Sequence, residues 1–283
     1  MAREVNCDLD REALQEDLDR LVEWSTRWQL GFNRDKCKVM HIGGSNIEAN
    51  YRIGQWKDDH YEEVTLKETK EEKDMGVWTT NNLKCSVHVT HVASKANQIL
   101  GLIKRSFTYR DKQLIRQLYT TMVRPHLEYA NVVWHPYYKK DIELLEQVQH
   151  RATRIIPGLN KLKYEERLQK IELPSLVYRR LRGDAIEMYK YLHGIYKVNS
   201  DTMLPLADRM GMELRGHNMK FQKRHCNTAL RANVFGLRMV NFWNSLPSDV
   251  VNSQSVNEFK GRLDIHCVEL SYSTDLDYEH PFS

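Results

Sequence analysis

Near residue 84 the hydrophobic pattern of this sequence changes from short alternating runs to long helical stripes, and this change limits the fold most. Before it, apolar and polar side chains alternate over residues 38–42, 51–56, 60–66 and 75–79, which predicts small antiparallel hairpins. From Val87 onwards, apolar residues recur every three or four positions, which predicts helices. The sequence therefore predicts the α+β class: a small α+β unit with antiparallel hairpins, followed by a mostly helical unit.

Two long apolar stripes predict the first helices of these units. One helix is predicted from Asp10 until Gly31 ends it, and another begins near Val87. The first stripe contains Leu14, Leu18, Leu21, Val22 and Trp28, and the second contains Val89, Val92, Ala93, Ala96, Ile99, Leu100 and Ile103. A spacing of three or four residues places each set on one face of its helix.

The later helices are predicted from capping and breaking residues. Asp111, Asp141 and Ser175 are predicted N-caps, because their side chains accept hydrogen bonds from the first backbone N–H groups of a helix. Pro125 is predicted to stop the helix after Asp111, because proline lacks a backbone N–H. Near the C-terminus, Phe242 and Trp243 are expected in the core. These elements give four predicted regions: residues 1–83, 84–194, 195–270 and a loose polar tail at 271–283.

Composition excludes several classes of protein. An apolar content of 41% suits a folded chain, and no apolar run is long enough to cross a membrane, so no membrane partner is expected. The acidic N-terminus lacks the apolar segment of a secretory signal. Five cysteines, far apart and odd in number, predict reduced thiols. We therefore expect a nuclear or cytoplasmic protein that is not secreted.

Charge is distributed unevenly along the chain. Residues 1–75 contain 12 basic and 18 acidic side chains, whereas residues 151–240 contain 18 basic and 8 acidic ones. A basic block of this size can bind polyanions, so non-specific nucleic-acid binding is one interpretation. Solvated helix faces are the alternative, and charge alone does not decide between them.

A complete active site is not found in the sequence. Glycine-rich nucleotide loops, a Gly-x-Ser-x-Gly elbow and a His-Glu-x-x-His pair are all absent. Asp58 and Asp59 are the tempting pair of carboxylates for two metal ions, but they follow a polar, turn-like stretch, and we expect a solvated turn there. No metal ligands are predicted.

The stretch FNRDKCKVMHIG, residues 32–43, concentrates three cations around one cysteine. Strand periodicity predicts that Lys36 and Lys38 share a face, with Cys37 turned toward the interior. Together with Arg34, these ammonium groups could contact phosphate. A solvated turn is the alternative, and a metal corner is disfavoured because a single thiol has no partner ligand.

Several longer strings carry a family resemblance. WSTRWQLGFNRDKCKVMHIG, residues 24–43, resembles the segment that follows the catalytic aspartate pair in reverse transcriptases of jockey-like non-LTR (LINE-type) retrotransposons. EKDMGVWTTNNLKCSVHV, residues 72–89, resembles their primer-grip hairpin. VRPHLEYA, LEQVQHRAT, YEERL and RRLRGD resemble the thumb and the region after it. The resemblance covers roughly residues 4–265 and implies the end of a palm, a primer grip, a thumb and a C-terminal extension.

The resemblance also implies roles for particular residues. Lys36 matches the lysine of polymerase motif D, which is thought to protonate the leaving pyrophosphate, and Met75, Gly76, Val77 and Trp78 match the primer grip. The basic residues expected to line the groove for a template–primer duplex are Arg34, Lys38, Arg151, Arg154, Arg179, Arg180 and Arg182. Arg180 could instead pair with Asp184. The aromatics Tyr129, Trp134, Tyr137 and Tyr138 could stack on bases or anchor loops.

No residue of this sequence can be assigned to the metal-binding aspartates of the family. The resemblance therefore implies a truncated polymerase that is inactive alone, although the complete enzyme would use Mg²⁺, an RNA template and a DNA primer. Two alternatives stay open. One is a host-retained RNA- or DNA-binding protein, and the other is an unselected fragment that acts at most through protein interaction. The oligomeric state is not predicted.

Overall fold

The computed structural model describes residues 1–44, 46–57, 60–197, 206 and 216–275. The chain divides into two compact units, Met1–Val87 and His88–Ser283. The first contains one long helix and short strands, and the second is helical. This mixture confirms the predicted α+β class. Asp58 and Asp59 lie outside the described residues, as does the tail from residue 276.

The first unit begins with helix α1, Asp8–Arg27, which packs against strand β2, Arg52–Lys57. The side chain of Gln15 accepts from the backbone N–H of Arg52 at 2.9 Å and donates to its carbonyl at 3.0 Å. Val22 is buried, and the three predicted leucines of this stripe are half-buried. Trp28 was expected to extend the stripe, but it is 61% exposed. The helix ends at Arg27, so Trp28 no longer follows the helical period.

The strands of the first unit pair in three two-stranded sheets. Their bounds are β1 Lys38–Val39, β2 Arg52–Lys57, β3 His60–Thr65, β4 Lys67–Glu68, β5 Glu71–Asp74 and β6 Val77–Thr80. Strands β2 and β3 are antiparallel, with Ile53 opposite Val64, and β5 and β6 are also antiparallel. These pairs confirm the predicted hairpins. Strands β1 and β4 pair in parallel, which alternation alone did not predict.

The second unit contains eleven α-helices in its described residues, counting α2, whose first two residues belong to the first unit. They are α2 Ser86–Ser106, α3 Lys112–Leu118, α4 Arg124–Glu128, α5 Lys139–Arg154, α6 Tyr164–Ile171, α7 Leu176–Leu192, α8 Ala229–Ala232, α9 Phe235–Arg238, α10 Val240–Ser245, α11 Ser248–Val251 and α12 Val256–His266. A π-helical segment, Tyr119–Val123, joins α3 to α4. A 3-10 turn follows α12 at Val268–Leu270.

Local capping predictions have mixed outcomes. Asp111 accepts from the N–H of Leu114 at 2.8 Å, and Ser175 accepts from the N–H of Tyr178 at 3.1 Å, so both predicted N-caps are confirmed. Asp141 is not an N-cap. Helix α5 begins earlier, with Tyr138 at the N-cap position, and Asp141 is buried in the first turn.

Pro125 does not stop its helix. It lies in the first turn of α4, where a missing N–H is tolerated because that donor has no partner within the helix. The π-helical segment ends directly before α4, where the N–H of Arg124 donates to the carbonyl of Tyr119, five residues earlier. The hydrogen-bond spacing therefore changes just before the proline, and the helix continues through it. The prediction that this helix ends at Pro125 was therefore wrong.

The core of the second unit surrounds Trp243, whose side chain is fully buried. Phe242, Tyr189 and Phe259 are buried in the same cluster, with residues of α7, α9, α10, α11 and α12. Trp243 donates its indole N–H to the carbonyl of Met219 at 2.9 Å. The prediction that Phe242 and Trp243 belong to the core is confirmed.

Candidate nucleic-acid interface

The cationic stretch of the first unit forms a tight turn followed by a two-residue strand. Arg34–Lys36 is a 3-10 turn, and of the three cations only Lys38 lies in strand β1. Three residues per turn replace the alternation of a strand, so the geometric reason for placing Lys36 and Lys38 on one face is lost. The strand prediction for Lys36 was wrong, although the three cations remain within five residues of each other.

Two of these three cations are engaged in ion pairs. Arg34 lies 3.1 Å from the carboxylate of Glu62, and Lys38 lies 2.6 Å from that of Glu72. The hydrogen bond from Lys38 lowers the pKa of Glu72. Lys36 is exposed and forms no ion pair within the described part of the chain. Lys36 is therefore the most available cation of this turn.

The segment Met75–Trp78 forms the turn between strands β5 and β6 and the first two residues of β6. Met75 and Gly76 both adopt positive φ, 44° and 88°, between the paired residues Asp74 and Val77. Two consecutive positive φ values are typical of a type I′ turn. Met75 is 86% exposed, whereas Val77 is buried. The hairpin therefore presents a large apolar side chain at an energetically unfavourable backbone position.

The three arginines at the start of α7 have different environments. Arg179 donates both Nε and Nη2 to the carboxylate of Glu128, the second over 2.9 Å. Arg182 binds the carboxylate of Asp264 in the same way, at 2.5 and 2.8 Å. Arg180 is 1% exposed. These contacts lie within the helical unit, so none of the three guanidinium groups is fully available to a phosphate backbone.

The sequence left open a pair between Arg180 and Asp184 as the alternative to a phosphate contact by Arg180. The structure does not form that pair. The carboxylate of Asp184 instead binds Arg238 through two hydrogen bonds of 2.9 and 3.0 Å. The charge of Arg180 acts on the buried carboxylate of Glu146, whose pKa is raised mainly by burial and partly lowered by Arg180.

A second group of cations lies at the end of α5 and in α6. Arg151 and Arg154 are both exposed on α5, and Arg151 donates to the side-chain carbonyl of Asn97 at 2.9 Å. His150 has a lowered pKa because it is partly buried and because Arg167, Arg154 and Arg151 repel its protonated form. Burial and the charge of Arg154 likewise lower the pKa of Arg167. The three arginines therefore lie close enough to His150 to disfavour its protonated form, and that form would add to their charge.

Arg167 was not selected from the sequence. It is buried, donates to Thr153 at 3.0 Å and to the carbonyl of Leu162 at 2.8 Å, and its guanidinium lies over the ring of Tyr164. Helix α6 is only eight residues long, so its periodicity gave little signal. The string YEERL is part of the family resemblance. The residues around Arg167 in the sequence, however, do not indicate that its side chain contacts α5.

The aromatic candidates for base stacking also separate. Trp134 is buried, donates its indole N–H to the carbonyl of Tyr129 at 2.7 Å, and packs edge-on against His88. Trp134 therefore anchors the segment after α4. Tyr129 itself is exposed, and the rings of Tyr137 and Tyr138 contact each other.

Within the described ranges, no group of three or more histidine, cysteine, aspartate or glutamate side chains is arranged to hold a metal ion. No helix in those ranges has the length and apolar character needed to cross a membrane.

Comparison with known proteins gives one informative similarity. The chain is 22% identical over 156 residues to a protein of Drosophila melanogaster described as "Probable RNA-directed DNA polymerase from transposon X-element". The matched region covers 54% of this chain and 16% of the relative, so the chain spans a small part of that protein's length. No family model matches the sequence. No solved structure matches it either. The similarity supports a relationship to transposon-encoded RNA-directed DNA polymerases.

Proposed function

We propose that this chain is the part of a retrotransposon reverse transcriptase that holds the template–primer duplex. The observation that carries this proposal is the group of three arginines, Arg151, Arg154 and Arg167, around His150 in the helical unit. Arg151 and Arg154 are exposed, and none of the three forms an ion pair within the described residues. The similarity to a transposon RNA-directed DNA polymerase makes nucleic acid the natural polyanion. In this proposal the helical unit acts as a thumb, and the enzyme is of the jockey-like, LINE-type class.

Arg151 and Arg154 would make the phosphate contacts of the thumb. Both are exposed and lie three residues apart on one helix, so their guanidinium groups can reach neighbouring phosphates. Such contacts position a duplex without reading its sequence. Arg179 and Arg182 would orient helices through their ion pairs, and we leave the buried Arg180 out of the groove.

The first unit would contribute at the polymerising end. Lys36 would donate a proton to the leaving pyrophosphate, and the Met75–Trp78 hairpin would contact the primer strand. Two metal ions are needed to align the attacking hydroxyl and the phosphate. The complete polymerase would bind two Mg²⁺ ions for this purpose. We assign no metal-binding carboxylates to this chain, and we expect it to add no nucleotides to a primed RNA template by itself.

Binding to duplexes across a salt series tests the thumb proposal. Fluorescence anisotropy would give Kd for a labelled DNA duplex and for an RNA–DNA hybrid. The slope of log Kd against log salt changes by about 0.9 for each phosphate contact to duplex DNA. We expect the double variant R151A/R154A to weaken binding and to reduce this slope by about 2.

A matched control separates these contacts from a general loss of charge. The variant K139A/K140A removes two exposed cations from the opposite end of the same helix. It should leave the slope unchanged. Equal effects of the two double variants, or duplex binding that does not respond to salt, would contradict the proposal.

A further inference from the structure

A cavity of about 570 Å³ opens in the helical unit between the start of α3 and the segment after α5. Its lining combines the cations Arg110, Lys112 and Lys170 with Tyr109 and an apolar wall. We propose that this cavity binds one unpaired nucleotide of the nucleic-acid strand that the helical unit holds. The inference rests on the proposed function and specifies where a single-stranded end would bind.

The cations of the cavity suit a phosphate group. Arg110 is held in place because it donates to the carbonyls of Phe107 and Lys104 at 2.9 and 2.8 Å. Lys112 lies 3.9 Å from Glu172, a distant and exposed ion pair that contributes little. Lys170 is exposed on α6. A phosphate could therefore recruit the lysine ammonium groups without breaking a strong contact.

The one acidic group of the lining does not oppose an anion strongly. Asp111 accepts from the N–H of Leu114, so its carboxylate is engaged as the N-cap of α3. Glu172, which lies near Lys112, is bound more closely by Arg116, at 2.9 Å. The remaining charged groups of the lining are positive, which favours an anionic ligand.

The rest of the lining suits the flat face of a base. Tyr109 is 72% exposed, and Ile156, Pro157 and Leu159 provide apolar surface in the same cavity. Proteins bind unpaired nucleotides by combining aromatic stacking with cations for the backbone, and this combination tolerates any base. The cavity volume lies within the range of about 300–1,000 Å³ that is usual for small-ligand sites.

The position of the cavity connects it to the proposed duplex contacts. Ile156 follows Arg154 by two residues, so the backbone positions of the two residues are at most about 7 Å apart. A strand that leaves a duplex bound at Arg151 and Arg154 therefore reaches the cavity within the length of a nucleotide or two. The site would select a duplex with an unpaired end over a blunt duplex.

The test compares the full chain on a blunt duplex and on the same duplex with a single-stranded overhang of three nucleotides. Anisotropy at fixed salt gives both Kd values. We expect the overhang to tighten binding by about fivefold to tenfold, the size of one stacked base. The variants Tyr109→Ala and K112A/K170A should lose this advantage and leave blunt-duplex binding within about twofold of the parent chain.

Two controls keep the outcome specific. Tyr109→Phe retains the ring and should retain the overhang advantage, while K139A/K140A removes the same charge as K112A/K170A from exposed positions outside this cavity. Circular dichroism of each variant checks that its fold is intact. An equal loss in both lysine pairs would overturn the proposal.

The remaining outcomes distinguish this inference from the function on which it rests. If blunt duplex binds through Arg151 and Arg154 but the overhang adds nothing, only the cavity proposal fails. If neither duplex binds, the proposed function fails as well. Cavity variants that alter binding of a free nucleoside monophosphate and leave the overhang preference intact would assign the site to free nucleotides and overturn the strand proposal.

Discussion

Asp184 is a carboxylate with no exposed surface, and its charge depends on two neighbouring side chains. Arg238 binds both of its oxygens, and Nδ1 of His135 lies 3.4 Å from one of them. Burial would raise the pKa of Asp184, but hydrogen bonding from His135 and the charge of Arg238 outweigh burial and lower it. This network joins α7 to α9 and to the segment after α4.

Replacing Asp184 by asparagine should strongly destabilise the helical unit. The substitution keeps the shape but leaves the guanidinium of Arg238 buried without a counter-charge, which typically costs about 3–5 kcal/mol. Urea unfolding followed by circular dichroism measures the change in the free energy of unfolding. Asp264→Asn is the matched control, because its pair with Arg182 is partly exposed and should contribute about 1 kcal/mol or less. A loss at Asp184 as small as the control would contradict the role of the network.

Acidification should destabilise the chain through His135. Burial is the main cause that lowers its pKa from 6.5 to about 4, and Arg238 and Arg180 also disfavour its protonated form. Between these values the unfolded chain binds a proton that the folded chain excludes, so stability falls as pH falls. The slope is about 1.4 kcal/mol per pH unit, or roughly 3 kcal/mol by pH 4.

Urea unfolding at several pH values measures this dependence. Burial also lowers the pKa values of His150 and His217, and both act in the same direction. His135→Gln should therefore reduce, in part, the fall in the free energy of unfolding below pH 6.5. Replacing the exposed His225 should leave this pH dependence unchanged. The same slope in the parent chain and in His135→Gln would show that His135 is not the responsible group.

Among the elements, the β5–β6 hairpin combines regular pairing with an unfavourable turn residue. Residues Glu71–Asp74 pair with Val77–Thr80, and Met75 occupies a positive-φ position that asparagine or glycine normally fills. A bulky residue at such a position costs stability. Such a cost is typical of a position that has a function, here the proposed contact with a primer strand.

Changing the two turn residues should shift stability in opposite directions. Met75→Asn creates the preferred Asn-Gly turn and should stabilise the first unit by about 0.5–1 kcal/mol, whereas Gly76→Ala forces a side chain into positive φ and should destabilise it by about 1 kcal/mol. Thermal unfolding measures both changes. In the proposed function, Met75→Asn should also weaken binding to a primed duplex. Unchanged stability in both variants would mean that the turn is not formed in solution.

The same elements show which local predictions succeed. Asp111 and Ser175 could be identified as caps because an N-cap acts on the backbone only three residues away. Asp141 has the correct residue type, but α5 begins two residues before it, and the buried site of Asp141 is created by tertiary packing. Lys36 was expected in a strand but lies in a 3-10 turn, because the parallel pairing of β1 with β4 begins only at Lys38.

For the molecule as a whole, the two compact units predict independent folding of the helical part. The large core cluster around Trp243 lies entirely within His88–Ser283. We therefore expect a fragment of residues 84–283 to fold alone and to unfold cooperatively in urea. Trp243→Ala in this fragment should cost about 3–5 kcal/mol. Near-ultraviolet circular dichroism reports the packing of the buried tryptophans, and a fragment without such a signal would contradict independent folding.

By itself, the sequence determined the α+β class, the change from hairpins to helices near residue 84, and the burial of Phe242 and Trp243. These features depend on hydrophobic period and residue type, which act over a few residues. The resemblance in the sequence also selected Arg151 and Arg154 as candidate contacts. Only the tertiary structure decided that Arg180 is buried, that Arg179 and Arg182 are paired, and that Arg167 joins the cluster. The availability of a charge depends on partners distant in sequence, and periodicity contains no information about them.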